Sequence, residues 1–125
     1  MIIGLGIDTV EVSRIKGSIK KYGKRFTGRF FSATEEEYCN SRANKYQSYA
    51  ARFAVKEAII KAFGKGDIFP AILKEIEVQN DSQGKPNARF TGKAAKIYKK
   101  SGARACHISI THTEETAVAV AVLEK

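Results

Sequence analysis

The chain has no tryptophan, two cysteines, two prolines and one methionine among its 125 residues. Two thiols, Cys39 and Cys106, are too few for a disulfide scaffold, and they read as buried or half-buried thiols of a reducing compartment, the cytoplasm. Cysteine and histidine are too scattered for a closed zinc site. No apolar run approaches the roughly 20 residues that span a bilayer, so no membrane insertion is expected. The opening MIIGLGIDTVE lacks a basic stretch and meets a carboxylate at Asp8, so it does not read as a signal peptide. Acidic residues are also scarce: 13 Asp and Glu stand against 22 Lys and Arg, for a net charge of +9. Such a balance predicts an anionic partner, which is a nucleic acid, a phosphate-rich ligand, a membrane surface or an acidic protein.

Hydrophobic residues make up 43% of the chain, enough for a packed core and too many for wholesale disorder. Nothing resembles a linker or repeat, so residues 1–125 are expected to form a single domain. Met1 to Asp8 alternates as a strand, with Ile3, Leu5 and Ile7 on one face and Gly4, Gly6 and Asp8 on the other. The glycine face is flat, so another backbone or a ligand can approach Asp8 closely. Thr9 is expected to cap a helix from about Val10 to Tyr22, ended by Gly23. Arg14 and Lys21 share one exposed flank of it; Lys16, Lys20 and Lys24 share another. Ser32-x-x-Glu35 is a capping box that opens a short acidic helix.

A long helix is predicted from about Asn44 to Phe63, stopping at Gly64. At 100° per residue, Glu57 shares an arc with Tyr46, Ala50, Phe53, Ile60 and Lys61. Only the flank with Lys45, Ser48, Arg52 and Lys56 reads as solvent-facing. Beyond it, Ile72 to Gln79 alternates as a strand, and Ala88 to Phe90 pairs back on it. Thr91 caps a helix to about Lys100, and His107 to His112 forms a hairpin with an apolar strand over Thr116 to Leu123, expected to be buried on both faces. The sum is an α+β fold, an antiparallel sheet packed against a long buried helix.

A carboxylate on an apolar arc costs several kcal/mol unless it is paired or metal-bound. Glu57 therefore either pairs with Lys61, its i+4 neighbour, or binds a cation. Asp8 either caps the following helix or binds the same cation. Two oxygen ligands from separate elements suit Mg2+, which takes one or two protein carboxylates and fills its shell with water and phosphate oxygens. Lys61, Gly64 and Gly66 around a helix end read either as phosphate-approaching groups or as a glycine cap with lysines balancing the dipole. His107, Ser109 and Thr111 line one strand face and His112 the other. No strand-turn-helix elbow surrounds Ser109, which argues against a nucleophilic serine. The basic helix lacks an aromatic stacking platform or a recognition-helix pair, which argues against nucleic acid.

Three blocks carry a resemblance. Ile7-Asp8-Thr9-Val10-Glu11, Arg52-Phe53-Ala54-Val55-Lys56-Glu57-Ala58 with Lys61-Ala62, and His107-Ile108-Ser109-Ile110-Thr111-His112-Thr113 resemble the signature blocks of the holo-[acyl-carrier-protein] synthases. These are the short type of 4′-phosphopantetheinyl transferase. Order, spacing and length match along essentially the whole chain; Phe30-Phe31-Ser32-x-x-Glu35 and Gly64-x-Gly66 add to it.

The resemblance implies Mg2+-dependent transfer of 4′-phosphopantetheine from coenzyme A to a serine of apo acyl carrier protein, a step of fatty acid biosynthesis that releases adenosine 3′,5′-bisphosphate. It implies Mg2+ on Asp8 and Glu57, and Lys61 as a third catalytic residue at the coenzyme phosphates. Arg52, Gly64, His107 and Thr111 then surround the nucleotide, and Arg14 and Lys21 face the carrier protein. It further implies a homotrimer with the coenzyme between subunits. The proton acceptor stays open between a metal-bound water and Glu57. The alternative reading is a non-enzymatic basic module that binds RNA or an acidic protein.

Overall fold

The computed structural model describes residues 1–65 and 71–125. The element order is β1 (Ile2–Glu11), α1 (Val12–Tyr22), α2 (Lys24–Phe30), α3 (Ala33–Asn40), α4 (Lys45–Phe63), a 3-10 turn (Leu73–Glu75), β2 (Ile76–Asn80), β3 (Pro86–Phe90), α5 (Gly92–Ser101), β4 (Ala105–His112) and β5 (Thr116–Glu124). β1, β5 and β4 form an antiparallel sheet in that order, and β2 and β3 form a separate hairpin.

α4 lies across the inner face of the three-stranded sheet, and small residues on both sides bring the two backbones together. A Cβ on Gly6 would fall 1.8 Å from the Ala58 carbonyl oxygen, and one on Gly4 would fall 2.3 Å from that of Ala62. Ala117, Ala119 and Ala121 of β5 continue the same face, all buried. The flat face expected of β1 is thus occupied by the backbone of α4, and Asp8, next along that face, meets the helix. Gly64 ends α4 in the left-handed conformation (φ 71°), closing its last turn with a bond to Lys61 O.

The α+β class, the long helix and the terminal hairpin follow the pattern in the sequence; several local expectations do not. β1 continues through Thr9 to Glu11, and α1 starts at Val12 without a side-chain cap, so Thr9 is a strand residue. Pairing of Asp8, Thr9 and Val10 with Ala119, Val118 and Ala117 holds the segment extended beyond the local capping signal. α2 was not expected. It is only seven residues long, and its Phe26 and Phe30, one turn apart, pack on Phe53 of α4 with ring centroids 6.4 and 5.9 Å away. Leu73–Glu75 turns as a 3-10 segment, with Ile72 at its N-cap, before β2 begins. The outer row of β5, Val118, Val120 and Val122, is only half-buried in one chain, whereas its alanine row is fully buried.

The largest departure concerns the flank of α4 expected to face solvent. Ser48, Arg52 and Lys56 are buried, Lys56 completely. α3 and β2 cover that side, and Lys56 forms an ion pair of 2.8 Å with Glu35 inside the molecule. Burial pushes the Lys56 ammonium below its ordinary range, and Glu35 opposes that shift. The capping box forms as expected, but Glu35 is also a buried acid whose partners lie far along the chain.

Candidate active site

Asp8 and the Glu57/Lys61 pair meet where the glycine face of β1 touches α4. Lys61 Nζ lies 2.9 Å from Asp8 Oδ1 and 3.0 Å from the Ile7 carbonyl. Its head remains 56% exposed, whereas the Asp8 side chain is only 10% exposed. Lys61 therefore reaches across to Asp8. Asp8 does not cap the following helix, since it lies in β1 three residues before the N-cap position, Glu11, which carries no side-chain cap.

Asp8 Oδ2 is buried, and among the described residues nothing donates to it unless Glu57 carries a proton. Glu57 stands beside it. Its carboxyl is pushed up to about 8 from 4.5, first by burial, then by hydrogen bonding to Asp8 and by the Asp8 charge; Arg14 and Lys61 act in the opposite direction. Both observations have one cause. Two carboxylates share a partly dehydrated space, and a proton on Glu57 supplies the donor that Asp8 Oδ2 lacks. A divalent cation would serve both oxygens better than a proton. The donors fit a hard ion: two carboxylates on separate elements, and no third acid or imidazole nearby to close the shell, since the described residues contain no cluster of three such ligands. Asp8 and Glu57 are the residues that could hold it.

Arg52 occupies a different place. Its guanidinium lies 4.1 Å above the Tyr38 ring and donates to Asn80 Oδ1 at 3.0 Å and to Ser48 Oγ at 3.4 Å; its buried Nε has no partner among the described residues. These groups border a cleft of about 380 Å³ together with Arg42, Lys85 and His112. The cleft gathers four cationic or imidazole side chains from separate elements, and no periodicity in the sequence foretells that gathering.

Within one chain the structure thus unites Asp8, Glu57 and Lys61, adds the Arg14 charge, and leaves the other expected site residues apart. His107 and Thr111 stand on the outer face of the sheet, opposite Val122 and Val118, while Asp8 points inward. His107 Nε2 is 3.0 Å from Glu124 Oε1. Gly64 lies exposed at the end of α4; Gly66 falls outside the described residues. Lys21, two turns beyond Arg14, is exposed beside the Tyr22 ring.

A long helix pressed on a small antiparallel sheet is an architecture this chain shares with solved transferases. The holo-[acyl-carrier-protein] synthase of Neisseria meningitidis superposes with a TM-score of 0.91 at 32% identity, covering 100% of both chains. That of Helicobacter pylori, solved in complex with coenzyme A, superposes with a TM-score of 0.82 at 27% identity, covering 96% of this chain and 99% of the other. In sequence, the holo-[acyl-carrier-protein] synthase of Koribacter versatilis is 46% identical over 124 residues, 99% of each chain. The one of Ruminiclostridium cellulolyticum is 49% identical over 120 residues, 95% of this chain and 90% of its own. The model of the 4′-phosphopantetheinyl transferase superfamily matches residues 4–121, and the chain belongs to that family.

Proposed function

We propose that the chain is a holo-[acyl-carrier-protein] synthase that moves 4′-phosphopantetheine from coenzyme A to a serine of apo acyl carrier protein. The family match and the coenzyme A complex of a relative support the substrate pair. The observation that carries the catalytic reading is the buried Asp8 Oδ2, without a donor among the described residues unless Glu57 carries a proton, beside a Glu57 that holds that proton too tightly.

The serine oxygen attacks the pantetheine phosphorus of coenzyme A, the bond from that phosphorus to the bridging oxygen breaks, and adenosine 3′,5′-bisphosphate leaves with the bridging oxygen, so catalysis is mainly positioning and neutralisation of charge. Asp8 and Glu57 would hold Mg2+, which when bound offsets charge on the pyrophosphate and on the leaving phosphate. Lys61 ends one turn beyond Glu57 with an exposed head and can exchange its bond to Asp8 for a phosphate oxygen. Glu57, half-buried and with its carboxyl pushed up to about 8, is one of the two candidates for taking the serine proton, in its ionised form. The exposed α1 flank with Arg14 and Lys21 would steer an acidic carrier.

The whole chain acts as one domain and assembles as a homotrimer in the cytoplasm. Leu5 and Ile7 are 65% and 61% exposed on the outer face of the sheet, where Val118, Val120 and Val122 continue the apolar surface. Copies of the chain packed there would bury that surface and would bring His107 and Thr111, which lie on it, to coenzyme held between subunits.

The test is to incubate the chain with coenzyme A, Mg2+ and apo carrier protein and to weigh the carrier. A mass gain of one phosphopantetheine is expected with Mg2+ and none with chelator. No gain, or a Glu57→Gln chain that transfers at the wild-type rate, would overturn the reading.

A further inference from the structure

We infer that the buried Glu35–Lys56 ion pair is a positioning device: it fixes the roll of α4 and so aims Glu57, the next residue, at Asp8. This rests on the ion reading of Asp8 and Glu57 given above.

Lys56 makes three bonds, to Glu35 Oε1 at 2.8 Å, to the Leu73 carbonyl at 2.9 Å and to the Ile76 carbonyl. An ammonium has three donors, so all are used and none is left for a ligand. The acceptors belong to α3, the 3-10 turn and the residue that opens β2. Glu35 is equally committed, since it also accepts from Ser32 N at 2.9 Å and from Val78 N at 2.9 Å. Rotation of α4 about its own axis would break bonds to three separate elements at once.

The opposite side of α4 is held less firmly. There Lys61 reaches Asp8 Oδ1 and the Ile7 carbonyl from a half-exposed position, and the helix backbone otherwise rests largely on Gly4, Gly6 and the β5 alanines. That contact sets how close α4 comes to β1 but restrains its rotation poorly. Successive helix residues project about 100° apart, so locking Lys56 on the α3 and β2 side fixes where Glu57 points on the β1 side. A buried ion pair adds little stability over apolar groups of the same volume. Direction, which apolar groups do not supply, is what this pair adds beside a site that needs two carboxylates on one ion.

Two variants test it: Lys56→Met, and the double Glu35→Gln/Lys56→Met, which leaves no uncompensated charge inside and carries the test if the single variant does not fold. Each is assayed well below its own unfolding midpoint, for Mg2+ affinity by calorimetry and for kcat and KM in carrier transfer. Supporting partners of metal ligands are commonly worth about 10–100-fold. The expected result is Mg2+ binding weakened by about that factor and a fall in kcat, with KM for the carrier unchanged. A folded variant that keeps wild-type Mg2+ affinity and kcat overturns the inference, even with a lower midpoint, because the pair would then only stabilise. If the wild-type chain itself transfers without any response to Mg2+, the ion reading falls and takes this inference with it.

Discussion

Replacing Gly6 with alanine puts the closeness of α4 and β1 under direct test. The added Cβ would sit 1.8 Å from the Ala58 carbonyl oxygen and 2.9 Å from Ala62 N, where ordinary contact begins at 3.4 Å. The obstructing atoms are backbone, so no side chain can swing aside, and α4 has to retreat by about 1.6 Å, the difference between 3.4 and 1.8. Overpacking of a core costs about 1–3 kcal/mol, and a rigid backbone obstacle places this case at the top of that range. For a chain of this size the unfolding midpoint should fall by roughly 10 °C. Retreat of the helix also carries Glu57 away from Asp8, so Mg2+ stimulation should be lost even in the folded fraction. Gly17→Ala is the control: it lies inside α1 with open space around it. Removing a helical glycine there should raise stability by about 0.5–1 kcal/mol and leave the response to Mg2+ unchanged. Thermal unfolding by circular dichroism and the carrier mass assay read both. A Gly6→Ala chain with wild-type midpoint and Mg2+ response would refute the close-contact reasoning.

The Glu57 carboxyl ionises at about 8 in the folded chain and near 4.5 when unperturbed, so the folded state keeps a proton that the unfolded state has lost. In metal-free buffer, stability should therefore be unaffected below pH 4.5, fall as pH rises through 4.5 to 8, and level off above it; Glu57→Gln should flatten that decline. Lys21→Glu should raise KM for the carrier severalfold at low salt, leave KM for coenzyme A alone, and lose its effect as salt rises. Ile7→Lys places a charge in the exposed apolar face of β1, and sedimentation should show the assembly dissociating to single chains, with loss of transfer; an intact trimer would remove that face from the interface.

The meeting of Asp8 with the Glu57 face of α4 was legible in the sequence because both acids break a period. Asp8 closes an alternation whose other members on that face are glycines, and Glu57 interrupts an apolar helical arc. Lys56 misled for the converse reason. Beside Lys45, Ser48 and Arg52 it completes a polar stripe, and a stripe reads as solvent-facing unless its partners are known. Those partners, Glu35 and the Leu73 and Ile76 carbonyls, lie 17 to 21 residues away on other elements. α2 was missed because seven residues with two phenylalanines give too little period to count. The Arg52 cleft escaped because Tyr38, Asn80 and His112 converge only through tertiary packing. His107 and Thr111, named by resemblance, lie on the sheet face away from Asp8, because a sequence block fixes the order of its residues and not which face of the sheet meets the helix.

The pairing of Asp8 and Glu57 on one ion is tested most directly by Mg2+ titration calorimetry in the presence of coenzyme A, at pH 7 in two buffers of different ionisation enthalpy. The account predicts one ion per chain and release of about one proton, because Glu57, ionising at about 8, is mostly protonated at that pH and must give up its proton to the metal. Asp8→Asn and Glu57→Gln should each abolish the binding. Wild-type affinity in either variant, or binding without proton release, would contradict it.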